Sequence, residues 1–276
     1  MTTLISDEAF VREFGSYLCG VRHGLPAHEK RPGTCSTCAA PLIGDYAECW
    51  QCHQNREKTV EKDLPFPIDE IAFLTYAVEG HDVASVGHER EGRQAYNVLK
   101  GYKAQPPPDV YWRSMVMWVV WFLQRWWPDG DKSSTWMWAT VPSRKSDRPG
   151  EHPLHKIVHA VLPDDMTEAV LRFTGEDMTR GFDQIAYSAA KLPDHRQVLL
   201  AEDLWVTGGN VLSAAAALKA AGATNVSALV FGRALKPEWS PSRQFIEHDG
   251  LRLGFEPGRP PWVKVRQPSA KTTARD

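Results

Sequence analysis

The chain has 276 residues, a formal net charge of −2 and 42% hydrophobic residues. This composition supports a folded core and excludes a largely disordered protein. The nearly balanced charge gives no general reason to bind nucleic acid or an anionic membrane, so neither is an expected partner.

The N-terminal segment, residues 1–64, begins with a predicted helix over residues 7–18 and has no apolar run typical of a secretory signal. We therefore expect a cytoplasmic protein with reduced cysteines. Residues 35–53 hold two Cys-x-x-Cys pairs separated by ten residues, Cys35, Cys38, Cys49 and Cys52. This spacing is typical of a tetrahedral Cys₄ zinc ribbon or knuckle and predicts a structural Zn²⁺.

The same cysteines allow other interpretations. Unligated thiols and disulfides remain open, although disulfides are disfavoured in the cytoplasm. Cys49-Trp-Gln-Cys-His53 also matches the attachment pattern of c-type haem, which requires export and leaves the first cysteine pair unexplained. Structural zinc is therefore the favoured interpretation.

Residues 65–130 are predicted to form a helical linker or hood, with helices around 68–80, 90–103 and 110–127. The last helix contains nine consecutive apolar residues, 115–123, whereas a membrane span needs about 20. We therefore expect a buried helix. Seven tryptophans lie between positions 112 and 138. They either pack in the core or form an aromatic pocket for a planar acceptor.

Residues 131–263 are predicted to form an α/β domain, followed by a flexible tail at 264–276. Strands are predicted at 135–141, 168–173, 197–201 and 225–231, and helices at 151–161 and 209–221. This order is typical of a largely parallel sheet with helices on its faces.

A candidate phosphate site follows the apolar run Val198–Ala201. Glu202 and Asp203 come at the carboxyl end of this predicted strand, where ligands bind in open α/β sheets. The next loop leads straight into a helix, whose unpaired N–H groups and dipole suit a phosphate. Its predicted phosphate ligands are Val206, Thr207, Gly208, Gly209 and Asn210.

Carboxylates next to a phosphate loop indicate a particular ligand. They accept hydrogen bonds from two neighbouring hydroxyls, so the combination predicts a ribose 5-phosphate. A dinucleotide-binding fold fits less well. No third glycine follows at the required spacing, and the acidic pair precedes the loop instead of following it by about 20 residues.

The run from Val198 to Asn210 resembles the signature of type I phosphoribosyltransferases. With the cysteine pairs and the segment Arg93–Lys103 ahead of it, the chain resembles ComF-like members of that family, which carry an N-terminal zinc module. The resemblance implies a phosphoribosyltransferase-like parallel sheet flanked by helices. It also implies 5-phosphoribosyl-1-pyrophosphate (PRPP) with Mg²⁺, the acidic pair on the ribose hydroxyls and the loop on the 5-phosphate. Val206 and Asn210 depart from the hydroxyl residues that are common at these positions.

The resemblance implies two further contacts. Ser143 and Arg144 follow the first strand of the α/β domain, where the family contacts pyrophosphate, and an arginine fork suits that role. A solvated basic turn is the alternative. Residues 174–181 occupy the place of the mobile catalytic loop, and Arg180 would neutralise the leaving pyrophosphate. The predicted catalytic residues are Glu202, Asp203 and Arg180.

The leading function is therefore transfer of phosphoribose from PRPP to a small nucleobase-like or heteroaromatic acceptor, with release of pyrophosphate. The acceptor pocket is expected in residues 60–130 or 235–265. Two alternatives stay open: a non-catalytic ComF-like protein in DNA uptake, and a regulator that senses PRPP or a nucleotide. A homodimer also stays open.

Overall fold

The computed structural model describes residues 5–16, 18–27, 32–62, 64–80, 88–128, 135–144, 151–175, 181–248, 251 and 254–267. Its helices are α1 (Asp7–Phe14), α2 (Trp50–Glu61), α3 (His88–Gly101), α4 (Asp109–Arg125), α5 (Pro153–Val161), α6 (Gly209–Ala220) and α7 (Ser240–Glu247). Its strands are β1 (Glu70–Val78), β2 (Trp136–Thr140), β3 (Leu171–Phe173), β4 (Tyr187–Ala189), β5 (Gln197–Trp205), β6 (Asn225–Leu235) and β7 (Val263–Lys264). The helices predicted at 90–103, 110–127, 151–161 and 209–221 are confirmed to within two residues at either end.

The central sheet has five strands in the order β2–β5–β6–β1–β7. The first four are parallel, and β7 runs antiparallel to β1. Along β5, Val198 and Leu200 belong to the core on one face of the sheet, and Leu199 and Ala201 to the core on the other. Burial on both faces is typical of parallel strands covered by helices. The predicted α/β class with a mostly parallel sheet is confirmed.

The helix predicted at 68–80 is wrong, because this segment forms β1 beside β6. Glu70–Val78 is buried at eight of its nine positions, so it shows neither helical nor alternating periodicity. A short apolar run of this kind cannot be assigned by periodicity alone. Its aromatic and β-branched residues favour a strand. The sheet therefore takes strands from both sides of the boundary predicted at residue 131.

The strand predicted at 168–173 is only partly right. Glu168 makes a single parallel bridge to Trp138, and the chain then leaves the sheet. Residues 171–173 form β3, which pairs antiparallel with β4 in a separate two-stranded sheet. Alternating exposure along β3 fits a hairpin with one solvated face.

The tryptophan-rich helix α4 packs in the core, as one of the two interpretations predicted. Trp118 and Trp121 are fully buried, and Phe10 of α1 stacks on Trp121 with 4.1 Å between ring centroids. The Trp121 ring N–H also donates to Asp7 Oδ1 at 3.2 Å. Among the described residues, no helix combines the length and apolar character that a membrane span requires.

The start of the predicted flexible tail needs correction. Lys264 belongs to β7, which pairs with β1, and the N–H of Val265 donates to the carbonyl of Asp69 at 2.8 Å. Residues 264–267 are therefore attached to the edge of the sheet. Residues 268–276 lie outside the described part of the chain.

Candidate functional site

An open cleft of about 760 Å³ lies at the carboxyl ends of β2, β5, β6 and β1. It brings together nine predicted site residues: Ser143, Arg144, Glu202, Asp203, Val206, Thr207, Gly208, Gly209 and Asn210. Arg180, the remaining predicted residue of this site, lies outside the described residues. None of the seven tryptophans between positions 112 and 138 is among the described residues that line this cleft.

The loop between β5 and α6 depends on a glycine. Gly208 caps the N-terminus of α6 with φ of +82°, in the left-handed region that favours glycine. A Cβ at this position would lie 2.2 Å from the ring of Trp205, which is buried beneath the loop. The positive φ and the contact with Trp205 therefore both disfavour a side chain at position 208. Without a side chain, the backbone of Gly208 lines the cleft directly. As at any helix N-terminus, the first N–H groups of α6 have no intrahelical acceptor and suit an anion.

Two buried side chains donate hydrogen bonds to the carbonyls of this loop from the side opposite the cleft. The Asn55 amide of α2 donates to the carbonyl of Thr207 at 3.2 Å. Arg233 of β6 donates through Nη1 to the carbonyls of Trp205 at 3.1 Å and Val206 at 3.4 Å. Asn55 is 1% exposed and Arg233 is 6% exposed. The loop is therefore fixed by protein donors on its carbonyl side.

The acidic pair lies at the end of β5, and both side chains are buried. Three side chains surround Asp203 Oδ2: the Tyr102 hydroxyl donates to it, Lys103 Nζ forms an ion pair with it, and His152 Nε2 lies 3.9 Å away. Glu202 accepts a hydrogen bond from the backbone N–H of Asp203 at 3.0 Å. Two adjacent buried carboxylates thus have very different surroundings.

These surroundings move the two pKa values in opposite directions. Burial and the neighbouring charge of Asp203 raise the pKa of Glu202 well above its ordinary value. Burial would also raise the pKa of Asp203, but the charges of Lys103 and His152 and hydrogen bonds from Lys103 and Tyr102 hold it below its ordinary value. The pair therefore favours an ionised Asp203 beside a protonated Glu202.

The sequence did not single out several residues that line or support the cleft. Lys103 and Tyr102 belong to a segment noted only for its resemblance, and no role was predicted for them. His152 caps α5, since its Nδ1 accepts from the N–H of Leu154 at 3.3 Å, while its Nε2 faces Asp203. Four cationic and three carboxylate side chains line the cleft: Lys100, Lys103, Arg144, Lys236, Glu79, Glu202 and Asp203. The signal in the sequence that could have found them is the pair of lysines Lys100 and Lys103, about one hundred residues before the acidic pair.

Arg144 connects the turn after β2 to the β3–β4 hairpin. Its guanidinium carbon lies 5.9 Å from the ring centroid of Phe173 and 5.5 Å from that of Tyr187. Arg144 Nε also donates to the Tyr187 hydroxyl at 3.4 Å. Burial raises the pKa of Tyr187 to about 12, so this hydroxyl stays protonated at neutral pH. Arg144 is thus held at the cleft by the hairpin and is not simply a solvated basic residue.

The four predicted zinc ligands form one buried cluster. The sulfurs of Cys35, Cys38, Cys49 and Cys52 all lie within 4.8 Å of one another. The sulfurs of Cys38 and Cys49 are 3.6 Å apart, and none of the four cysteines forms a disulfide. A tetrahedral centre with Zn–S bonds of about 2.3 Å requires sulfurs about 3.8 Å apart.

The surroundings of these sulfurs also suit a thiolate centre. Cys35 Sγ accepts from the backbone N–H groups of Cys38 at 3.5 Å and Cys49 at 3.3 Å. Hydrogen bonds from Cys35, Cys49 and Cys52, with the charge of Arg233, hold the pKa of Cys38 well below its ordinary value, whereas hydrogen bonds within the cluster raise the pKa of Cys35 and Cys52. The cluster is therefore consistent with a structural zinc centre.

Comparison of the chain with protein-family models, with curated proteins and with solved structures gives no match. The family resemblance thus rests on the residues of this chain and their arrangement. The fold and the four-cysteine cluster stand independently of it.

Proposed function

We propose that this chain is a phosphoribosyltransferase that binds PRPP with Mg²⁺ in the cleft and transfers phosphoribose to a small nitrogen heterocycle. The observation that carries the proposal is the junction of β5 and α6. Within nine residues it presents two buried carboxylates and a glycine loop at a helix N-terminus, all lining one cleft. A ribose 5-phosphate presents a phosphate and neighbouring hydroxyls, which these two groups would bind together.

The proposed donor fits the charges of the cleft. The 5-phosphate would lie on the N–H groups at the start of α6, and Glu202 and Asp203 would accept hydrogen bonds from the ribose hydroxyls. A carboxylate offers about four acceptor sites, so Asp203 retains capacity beyond its contacts with Tyr102 and Lys103. Carboxylate oxygens and water are also the ligands that Mg²⁺ prefers.

In the proposed reaction, the bond from ribose C1 to the pyrophosphate oxygen breaks, and pyrophosphate leaves with the electron pair. The lone pair of the acceptor nitrogen forms the new C1–N bond, and the nitrogen then releases its proton to water. Lys103 and Arg144 would stabilise the charge that develops on pyrophosphate. Bound Mg²⁺ would neutralise part of the same charge. The chain mainly positions the reactants and supplies complementary charge.

Within the same proposal, the four-cysteine cluster holds one Zn²⁺ in a structural role. Four protein sulfurs complete a tetrahedral shell and leave no position for a substrate. The cluster also lies behind the loop and does not line the cleft. Metal analysis of the native protein is expected to give one equivalent of zinc, and a value well below one would contradict this assignment.

Product formation tests the catalytic proposal. The full chain is incubated with PRPP, Mg²⁺ and a panel of nitrogen heterocycles, and both pyrophosphate and ribosylated product are measured. Asp203→Asn is expected to lower kcat/KM by about 100-fold, because it removes a negative acceptor at the ribose. Asp194→Asn is the matched control, since Asp194 is exposed at the opposite end of β5.

The outcomes separate the alternatives. PRPP binding without turnover on any acceptor would favour a regulator that senses PRPP. If the chain neither binds PRPP nor responds to Asp203→Asn, the proposed function is lost.

A further inference from the structure

The four-cysteine cluster and the loop after β5 share one buried side chain. Arg233 Nε donates to the carbonyl of Cys38 at 2.8 Å, and its Nη2 lies 3.8 Å from Cys38 Sγ. The other end of the same guanidinium donates to the carbonyls of Trp205 and Val206. One planar group thus joins a cysteine of the cluster to the loop that lines the cleft.

A second connection runs through α2. This helix begins at Trp50, directly after Cys49, and contains Cys52 in its first turn. Asn55, one turn further along, donates to the carbonyl of Thr207. The side-chain amide of Gln51 donates to Asn55 Oδ1 at 3.2 Å and so orients the Asn55 amide. The position of α2, and with it Asn55, therefore depends on Cys49 and Cys52.

These contacts set the direction of the loop N–H groups. In a planar trans peptide the C=O and N–H point in opposite directions. Donors that hold the carbonyls of Trp205, Val206 and Thr207 therefore aim the N–H groups of residues 206–208 away from the cysteine cluster. The side chains that hold the carbonyls lie behind the loop, and the loop itself lines the cleft.

A buried guanidinium needs an anionic partner. Four cysteine sulfurs around a divalent cation occupy fixed positions, whereas the sulfurs of a metal-free cluster can rearrange. We infer that Arg233 and Asn55 are positioning residues that couple the metal-bound four-cysteine cluster to the phosphate-binding shape of the 205–209 loop. Only the identity of the loop ligand rests on the proposed function.

Amide hydrogen exchange of the full chain tests this coupling without any activity measurement. Exchange is compared between loop residues 205–210 and strand residues 226–231, with zinc bound and after removal by a chelator. The variants are Arg233→Met, Arg233→Lys and Asn55→Ala. Arg243→Met is the matched control, since Arg243 lies on α7 and donates to the exposed carbonyl of Pro237.

In the wild type, zinc removal is expected to speed exchange in the loop at least about tenfold more than in β6. In Arg233→Met the loop exchanges fast even with zinc bound, and zinc removal adds little. Arg233→Lys retains the charge but not the fork and should give an intermediate rate. Asn55→Ala breaks one neutral hydrogen bond and serves as the test if Arg233→Met does not fold.

Two results would overturn the inference. One is loop exchange that responds equally to zinc removal in the wild type and in Arg233→Met or Asn55→Ala. The other is slow, wild-type exchange in a zinc-loaded variant. PRPP affinity is measured separately, and about a tenfold loss on zinc removal is expected. If PRPP does not bind at all, the proposed function fails, while the exchange experiment still decides the coupling.

Discussion

The two halves of the cleft are held in different ways. At the acidic half, Asp203 is held by charged and hydroxyl side chains of the α3 region, so its state depends on charge and pH. At the loop half, the backbone is held by Gly208 in the left-handed region and by side chains that donate to the loop carbonyls. The conformation of the loop therefore depends on backbone geometry and not on charge. The acidic pair and the loop that follows it can therefore be changed by different substitutions, although they are adjacent at the end of β5.

The largest effect is expected from loss of a cluster cysteine, which should damage the loop half first. Cys52→Ala is expected to lose bound zinc and more than about 4 kcal/mol of the free energy of unfolding. Metal analysis and denaturant unfolding measure both quantities. Cys19→Ala, also buried but outside the cluster, is the control and should retain zinc. A zinc-loaded Cys52→Ala protein would contradict the account.

Two glycine substitutions should separate the effect of loop conformation on PRPP affinity from the effect of backbone strain. Gly208→Ala introduces both a positive φ and a clash with Trp205, and it should lower PRPP affinity by at least about tenfold. Gly222→Ala has φ of +109°, and its nearest atom, the carbonyl oxygen of Leu192, is 3.8 Å away, so it carries strain alone. Calorimetric titration with PRPP and Mg²⁺ compares the two. Equal affinities would mean that the loop does not hold the phosphate.

Proton release from Glu202 when PRPP binds tests the acidic half of the cleft. The raised pKa of Glu202 means that its folded carboxyl holds a proton at pH values where the unfolded chain has lost it. This contribution to stability is present below the unfolded pKa and is lost as pH rises through the folded pKa. The carboxylate accepts hydrogen bonds from the ribose more strongly than the neutral acid does, so PRPP affinity should rise with pH over the same range.

Calorimetry in two buffers with different heats of ionisation detects the released proton. Glu202→Gln should abolish the release. Identical binding heats in both buffers for the wild type would contradict the protonated state assigned to Glu202.

The smallest effect is expected at the hydroxyl that contacts Asp203. Tyr102→Phe removes one buried hydrogen bond and should lower the free energy of unfolding by about 1 kcal/mol. The reduced support should also raise the pKa of Asp203 and weaken PRPP binding slightly. Tyr46→Phe is the control, since Tyr46 is 75% exposed. A wild-type unfolding midpoint and PRPP affinity in Tyr102→Phe would show that the Tyr102 hydroxyl does not help to hold the carboxylate.

The sequence predicted the parts of the site that are contiguous. Glu202, Asp203 and the loop lie within nine residues, and a short strand, a glycine pair and a helix start each have local signatures. The paired Cys-x-x-Cys spacing likewise predicted the cluster. These signals depend on neighbours along the chain and not on the rest of the fold.

The supports of the site could not be predicted because they are distant in sequence. Arg233 of β6 and Asn55 of α2 contact the same loop, and Lys103 lies just after the end of α3. Strand β1 was missed because burial on both faces removes periodicity. Contacts of this kind follow from the order of strands in the sheet, which local patterns do not determine.

A crystal structure of the full chain with PRPP and Mg²⁺ tests the central claim most directly. The account predicts the 5-phosphate on the N–H groups at the start of α6 and the ribose hydroxyls against Glu202 and Asp203. Pyrophosphate should lie towards Arg144. A donor bound elsewhere, or a phosphate in the cleft that does not contact the 206–210 loop, would contradict it.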